Sequence, residues 1–264
     1  VTEPGRGATV TLMKTRPILG IDIGGSGIKG APVDLTAGEL ATDRFKLLTP
    51  SKSTPKNVAK VVAEVVDHFT DQVDADAPIG ITVPAVVTHG VTRTAANIDP
   101  EWLDCEAEKL LADKLGRPVH LLNDADAAGV CEAQFGAAQN QSGLVIVTTL
   151  GTGIGTALLH NGVLIPNSEF GHIEIDGKDA ETVASSGVRD KKGLSYKEWA
   201  PRLQKYYSTI EALFWPELFV VGGGVSRDSD KFLPRLDLRT PIVPAKHRNN
   251  AGIIGAAWLA AQTA

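Results

Sequence analysis

Two stretches of this chain, about half its length apart, run the same course. The apolar run 18–23 passes through Asp22 and Ile23 into Gly24, Gly25, Ser26 and Gly27, and apolar sequence resumes over 28–33. The run 144–150 passes through Thr149 and Leu150 into Gly151, Thr152, Gly153, Ile154 and Gly155, and apolar sequence resumes to 159. Strand, glycine turn, strand predicts a β-hairpin in each place. It argues against the phosphate loops that run from a strand into a helix, and neither turn has the Gly-Lys-Ser/Thr ending of the Walker type. A unit repeated at this spacing predicts two similar lobes, each presenting one hairpin.

The sequence between the hairpins alternates. Val58, Val61, Val62, Val65 and Val66 recur at helical spacing over 57–69, with Thr54 as a predicted N-cap and Pro55 at the first helical position. A second helix is expected over 101–115, stopped by Gly116 and Pro118, and a third starting after Asp124 and running to Phe135. Strands are expected at 79–83, 119–122 and 218–221, and an apolar helix at 251–261. Alternating strands and helices make the chain α/β.

Composition narrows the function. A net charge of −5 argues against nucleic acid and membrane surfaces as partners. No apolar run reaches the ~20 residues of a membrane span, and the N-terminal segment lacks the apolar core of a signal peptide. The two cysteines, Cys105 and Cys131, have no partnered spacing, which suits a reducing cytoplasm.

Three constellations carry candidate chemistry. Glycine turns let backbone N–H groups converge on phosphate oxygens. Gly24, Gly25, Gly151, Gly153 and Gly223 are therefore candidate phosphate binders, with Ser26, Thr149 and Thr152 adding hydroxyls and Lys29 charge. Either turn alone reads first as an ordinary tight hairpin; the matched pair and the Gly222-Gly223-Gly224 run favour phosphate. Asp22 is placed to hold magnesium, through water. Asn123-Asp124-Ala125-Asp126 stands at a strand end before a helix, where these residue types serve as caps or face a ligand. Asp126 is expected to be structural and Asp124 chemical. Glu169-Phe170-Gly171-His172-Ile173-Glu174 offers two polar groups around a glycine, or else an incidental histidine in a polar loop. The basic residues Lys191, Lys192, Lys246 and Arg248 read first as solvated surface.

Taken together, the 20–29 segment with Asp22, Leu122-Asn123-Asp124-Ala125, the 150–155 turn and Glu169-Phe170-Gly171-His172 resemble the ROK sugar kinases (repressor, open reading frame, kinase), and within them the polyphosphate-dependent glucokinases. The resemblance spans 19–261. It implies an actin-like fold of the hexokinase–Hsp70 type with a central cleft. Residues 18–124, with 251–264 packed back, would form one lobe and 125–250 the other, after a flexible leader over 1–17. It implies transfer from inorganic polyphosphate and ATP to the 6-hydroxyl of glucose, with mannose as a further acceptor, using Mg2+, by a cytoplasmic monomer or homodimer. Asp124 would be the base, ionised at neutral pH because free aspartate titrates near ~3.9. Asn97, Asn123, Asp124, Glu169, His172 and Glu181 would hold the sugar. Many relatives bind zinc through a histidine at the place of His172 and three following cysteines. No cysteine lies between His172 and Glu181 here, so no zinc is expected, and Glu174 is the expected partner of the imidazole. The rivals are an ATP-only glucokinase and a sugar-responsive repressor; repressors of this family carry a DNA-binding module before the first turn.

Overall fold

The computed structural model describes residues 16–95 and 98–262. Almost all of the expected leader lies outside them, and so does Asn97. Both predicted hairpins form. The first pairs β1 (Ile18–Gly24) with β2 (Gly27–Asp34), Gly24 opposite Gly27. The short strands β3 (Glu39–Leu40) and β4 (Phe45–Leu47) extend it from β2. Helix α1 (Pro55–His68) starts as predicted, the Thr54 hydroxyl accepting the Asn57 N–H, and it buries Val58, Val62 and Val65. Strand β5 (Ile79–Val83) lies parallel to β1. A two-strand ribbon of β6 (Val87–Thr88) and β7 (Val91–Thr92) leads to α2 (Ala107–Leu115). Strand β8 (Val119–Asn123) then pairs parallel to β5 and runs directly into α3 (Asp124–Phe135).

The second half repeats the plan. Strands β9 (Leu144–Leu150) and β10 (Ile154–His160) form the second hairpin, with β11 (Val163–Ile165) at the edge. Next come β12 (Glu174–Ile175), β13 (Lys178–Asp179), α4 (Glu181–Ala184), α5 (Ser186–Lys191) and α6 (Tyr196–Phe214). Strands β14 (Leu218–Gly222) and β15 (Ile242–Pro244) precede the closing helix α7 (Ala251–Gln262). The sheets read β3-β2-β1-β5-β8 and β11-β10-β9-β14-β15. In each, the first strand of the hairpin also pairs with a parallel strand, and a second parallel strand follows. The repeat in sequence is a repeat in topology. Strands β5 and β14 are buried throughout, which is why they read as unbroken apolar runs. Among the described residues no helix is long and apolar enough to cross a membrane.

Two expectations change. The helix expected over 101–115 begins only at Ala107. Pro100–Trp102 is a separate 3₁₀ turn capped by Asp99, whose carboxylate accepts the Glu101 N–H at 3.0 Å. Trp102 is buried with its indole N–H on the Ser53 carbonyl at 2.8 Å, and Asp104 takes φ +54, so tertiary anchoring of Trp102 breaks the helix. Helix α6, the longest, went unpredicted. Its signals are a capping box between Ser195 and Glu198, then Trp199, Leu203, Tyr206, Tyr207 and Ile210 on the buried face.

Helix α7 packs on β1, β5 and α3, tying the end of the chain to the first sheet. The approach is close: a Cβ on Gly80 would fall on the Ala256 carbonyl, and one on Gly255 on the Ala127 carbonyl. Gly255→Val is therefore expected to lower the unfolding free energy by about 3 kcal/mol or more. Gly25→Ala, with open space around it, should stay within about 0.5 kcal/mol. Urea unfolding of both variants checks the pair.

Candidate active site

The ends of the strands meet at a cleft of about 480 Å³, walled by both hairpin turns, the start of α3 and the segment after β11. At the start of α3 the four polar residues divide their work. Asn123 is the N-cap: its side-chain oxygen accepts the N–H groups of Ala125 at 2.8 Å and Asp126 at 3.1 Å. Its amide donates to the Ala85 carbonyl at 3.2 Å, so the cap leaves Asn123 one amide hydrogen for a ligand. Asp124 lines the cleft, one carboxylate oxygen accepting the Ala125 N–H at 2.8 Å. Asp126 is 2% exposed and accepts the Asn167 N–H at 2.8 Å. The Asn167 side chain in turn pairs with both the N–H and the C=O of Val87, at 3.0 and 2.8 Å. Asp126 thus ties the loop that leads to Glu169 onto the first half of the chain.

Asp124 does not titrate like a free aspartate. Burial, then the negative charges of Asp22 and Glu169, push its pKa up to about 7 against the opposing Ala125 N–H. At neutral pH the carboxyl is divided between its two forms, which corrects the expectation of full ionisation. Burial likewise raises Asp126 to about 7, the Asn167 N–H opposing and Glu169 adding to the rise.

The glycine turns flank this carboxyl. Gly24 and Gly25 line the cleft from one side, with the Gly24 carbonyl accepting the Thr49 hydroxyl at 2.5 Å. Thr149, Gly151, Thr152 and Gly153 line it from the other. The second turn is braced from behind, where the Gly151 carbonyl accepts from the Gly187 N–H at 2.8 Å and the Ser186 hydroxyl at 3.0 Å. Gly223 lines the cleft beside the second turn at φ +81, and a Cβ there would meet the Leu150 backbone, so glycine is required on both counts. Ser26 and Lys29 lie off the cleft lining. The Lys29 ammonium is 2.8 Å from Asp22. Asp22 also accepts the Thr82 hydroxyl at 2.7 Å and stands behind the lining, close to Gly252 at the start of α7. Lys246 donates to the Phe135 carbonyl at 3.0 Å, which accounts for one of the surface cations.

Glu169, His172 and Glu181 come together on the remaining wall. Thr156 secures their loop: its hydroxyl donates to the Ser168 carbonyl at 2.7 Å and accepts the Phe170 N–H at 3.1 Å. Glu181 accepts the Ile154 N–H at 3.1 Å, joining this wall to the second turn. Burial raises the Glu169 pKa, His172 lowering it and Glu181 raising it further. The partner of the imidazole is Asp179, 2.8 Å from His172 Nδ1, and not Glu174. Residues 174 and 179 face each other across the β12–β13 ribbon, so a partner sought by closeness in sequence missed the one the ribbon delivers. Thr94 and Thr156 also line the cleft without having been singled out; a lone threonine on a strand or loop carries no distinguishing signal.

Comparison with known proteins agrees with this geometry. The ROK family pattern matches residues 18–194. The chain is 51% identical to a polyphosphate glucokinase of Mycobacterium tuberculosis over 257 residues, covering 97% of this chain and 96% of that one. It superposes with a TM-score of 0.92 on an inorganic polyphosphate/ATP-glucomannokinase of an Arthrobacter species, at 51% identity, covering 95% of this chain and all of the other. A ROK glucokinase of Streptomyces griseus, solved with glucose and AMPPNP, aligns with a TM-score of 0.80 and 25% identity over 93% of this chain and 99% of that one. The paired hairpin-and-parallel-strand sheets are the actin-like arrangement of these kinases, and the chain belongs to the ROK family.

Proposed function

We propose that this chain is a glucokinase that transfers the terminal phosphoryl group of inorganic polyphosphate or ATP to the 6-hydroxyl of glucose, and of mannose as a second acceptor. The observation that carries the chemistry is Asp124. It is a carboxyl with a pKa near 7, set between two glycine turns and beside Glu169 and His172. Phosphoryl transfer asks for alignment and charge neutralisation more than for covalent help. Backbone N–H groups at Gly24, Gly25, Gly151, Gly153 and Gly223 and the hydroxyls of Thr149 and Thr152 suit the donor phosphates. Glu169, His172 and Glu181, with the remaining amide hydrogen of Asn123, suit the hexose hydroxyls. Asn97, assigned to the sugar by resemblance, lies outside the described residues. Asp124 accepts the 6-hydroxyl proton as the oxygen–phosphorus bond forms.

Transfer of this kind needs a divalent cation, and Mg2+ fits the residues present. Asp22 and Asp124 are oxygen donors close enough for the charge of one to raise the pKa of the other. Asp22 would hold the ion through water, with Lys29 already neutralising part of its charge. When bound, Mg2+ spreads the charge that develops on the donor phosphates. The free thiols Cys105 and Cys131 suit a cytoplasmic enzyme.

The pH dependence tests the reading. A base must be unprotonated to act, so kcat/KM for glucose should rise with pH from 5 toward about 7 as Asp124 ionises. Initial rates of glucose 6-phosphate formation across pH 5 to 9 check it. An activity already flat from pH 5 upward would remove Asp124 as the base.

A further inference from the structure

One carboxylate, at the end of β13, touches two of the groups assigned above to the hexose. Asp179 Oδ2 lies 2.8 Å from His172 Nδ1, and Asp179 Oδ1 accepts the backbone N–H of Glu181 at 3.1 Å. Its main-chain carbonyl accepts the Thr182 hydroxyl at 2.7 Å, and the next residue, Ala180, donates its N–H to the Ile173 carbonyl at 3.0 Å. The β12–β13 ribbon therefore folds back so that a single side chain fastens the 3₁₀ turn of Phe170–His172 to the first turn of α4. From α4 the connection continues, since Glu181 accepts the Ile154 N–H beside the second glycine turn.

We propose that Asp179 is the positioning residue of the hexose subsite, fixing His172 by Nδ1 so that Nε2 alone is offered to a sugar hydroxyl. This rests on the reading of the cleft as a hexose kinase site. An imidazole at the surface of a short turn is free to exchange tautomers and rotamers, and an acceptor at one nitrogen settles both. The charged and titratable groups facing the ring are Asp179, Glu181 and Glu169, all acidic, with Glu169 Oε2 at 4.0 Å from Nε2. Chief among them, Asp179 keeps the ring protonated to higher pH than an ordinary histidine, against a smaller opposing effect of burial. With Nδ1 held by Asp179, the protonated form of the ring offers Nε2–H as a donor, and the ionised form of Glu169 beside it offers an acceptor. One donor next to one acceptor matches a hydroxyl group, which both accepts and donates. Asp179 lies off the cleft lining and acts through His172 and Glu181.

Two variants separate charge from shape. Asp179→Asn keeps a side-chain oxygen for Nδ1–H and drops the charge; Asp179→Ala drops both. NMR titration of the His172 imidazole in the free protein, together with KM and kcat for glucose across pH, reads the effect. The His172 midpoint should fall in Asp179→Asn, and the rise of KM with pH should move to lower pH with it. In Asp179→Ala the glucose KM should rise about tenfold or more, the scale of one charge-assisted hydrogen bond, while kcat stays within about threefold because Asp124 is untouched. A midpoint unchanged in Asp179→Asn, or a KM within about twofold of the parent in Asp179→Ala, overturns the proposal. If Asp179→Ala does not fold, the Asp179→Asn midpoint and KM profile decide. If the parent phosphorylates no hexose, the kinase reading fails by itself, and the imidazole midpoint alone upholds or overturns the fixing of His172.

Discussion

Asp124→Asn is expected to lower kcat by about 10²- to 10⁴-fold, the contribution of a positioned general base, while glucose still binds. Asparagine has the same shape and its oxygen can still accept the Ala125 N–H, so the start of α3 and the cleft wall persist; what is lost is the proton acceptor. The same substitution should stabilise the fold at alkaline pH. The folded-state pKa of Asp124 is raised to about 7, whereas an unfolded aspartate titrates near ~3.9. Between those values the folded chain binds more protons than the unfolded one, so this group's contribution to stability falls as pH rises and reaches its full penalty above about 7. Asparagine carries no such penalty. Calorimetry should place the variant's Tm above the parent's at pH 8, with the difference gone near pH 4. A variant slower in turnover and also less stable at pH 8 would mean that the carboxylate is structural.

Glu132→Ala should be the most destabilising single side-chain truncation among those argued here, at about 3–5 kcal/mol, the scale for breaking a buried charge from its partners. Glu132 has no exposed surface and lies off the cleft lining. One carboxylate oxygen accepts the N–H groups of Ala137 at 2.8 Å and Lys246 at 3.0 Å; the other accepts the His247 N–H at 2.8 Å. The His247 imidazole is 3.4 Å away. Burial alone would raise this pKa, but the hydrogen bonds from His247, Ala137 and Lys246 outweigh it and hold the group below the usual range. The carboxylate therefore joins the end of α3 to the segment that leads into α7, whose first turn stands beside Asp22. Removing it leaves those three part-buried N–H groups without this partner. The sign of the pH effect is opposite to that of Asp124: the stabilisation is complete above the unfolded carboxyl pKa of ~4.3 and is lost as pH falls through the lower folded value. Urea unfolding of Glu132→Ala and Glu132→Gln at pH 7 and in acid measures it. The alanine variant should lose most of its disadvantage in acid, and glutamine, which keeps one acceptor oxygen, should lie between.

What the sequence made legible were features written in local pattern. Glycine between two apolar runs gave both hairpins, and their repetition gave the paired sheets, because strand and turn chemistry act over a few residues. Asp124 stood out by its place at the end of a strand. Its titration did not, since that depends first on burial and then on Asp22 and Glu169, which the fold brings near from distant parts of the chain. Asp179 was missed for the same reason: Glu174 is nearer to His172 in sequence, but the β12–β13 ribbon delivers the later residue. Glu132 sits in a helix of small residues, where nothing local shows that three N–H groups from beyond the helix converge on it. Helix α6 is the one failure of reading rather than of information, because the Ser195–Glu198 capping box was there to be seen.

The most direct test of the account is the product itself. Purified protein with Mg2+ and glucose, given inorganic polyphosphate and ATP in separate reactions, should form glucose 6-phosphate with each donor, and Asp124→Asn should form almost none with either. No glucose 6-phosphate from either donor, or equal amounts from parent and variant, would contradict it.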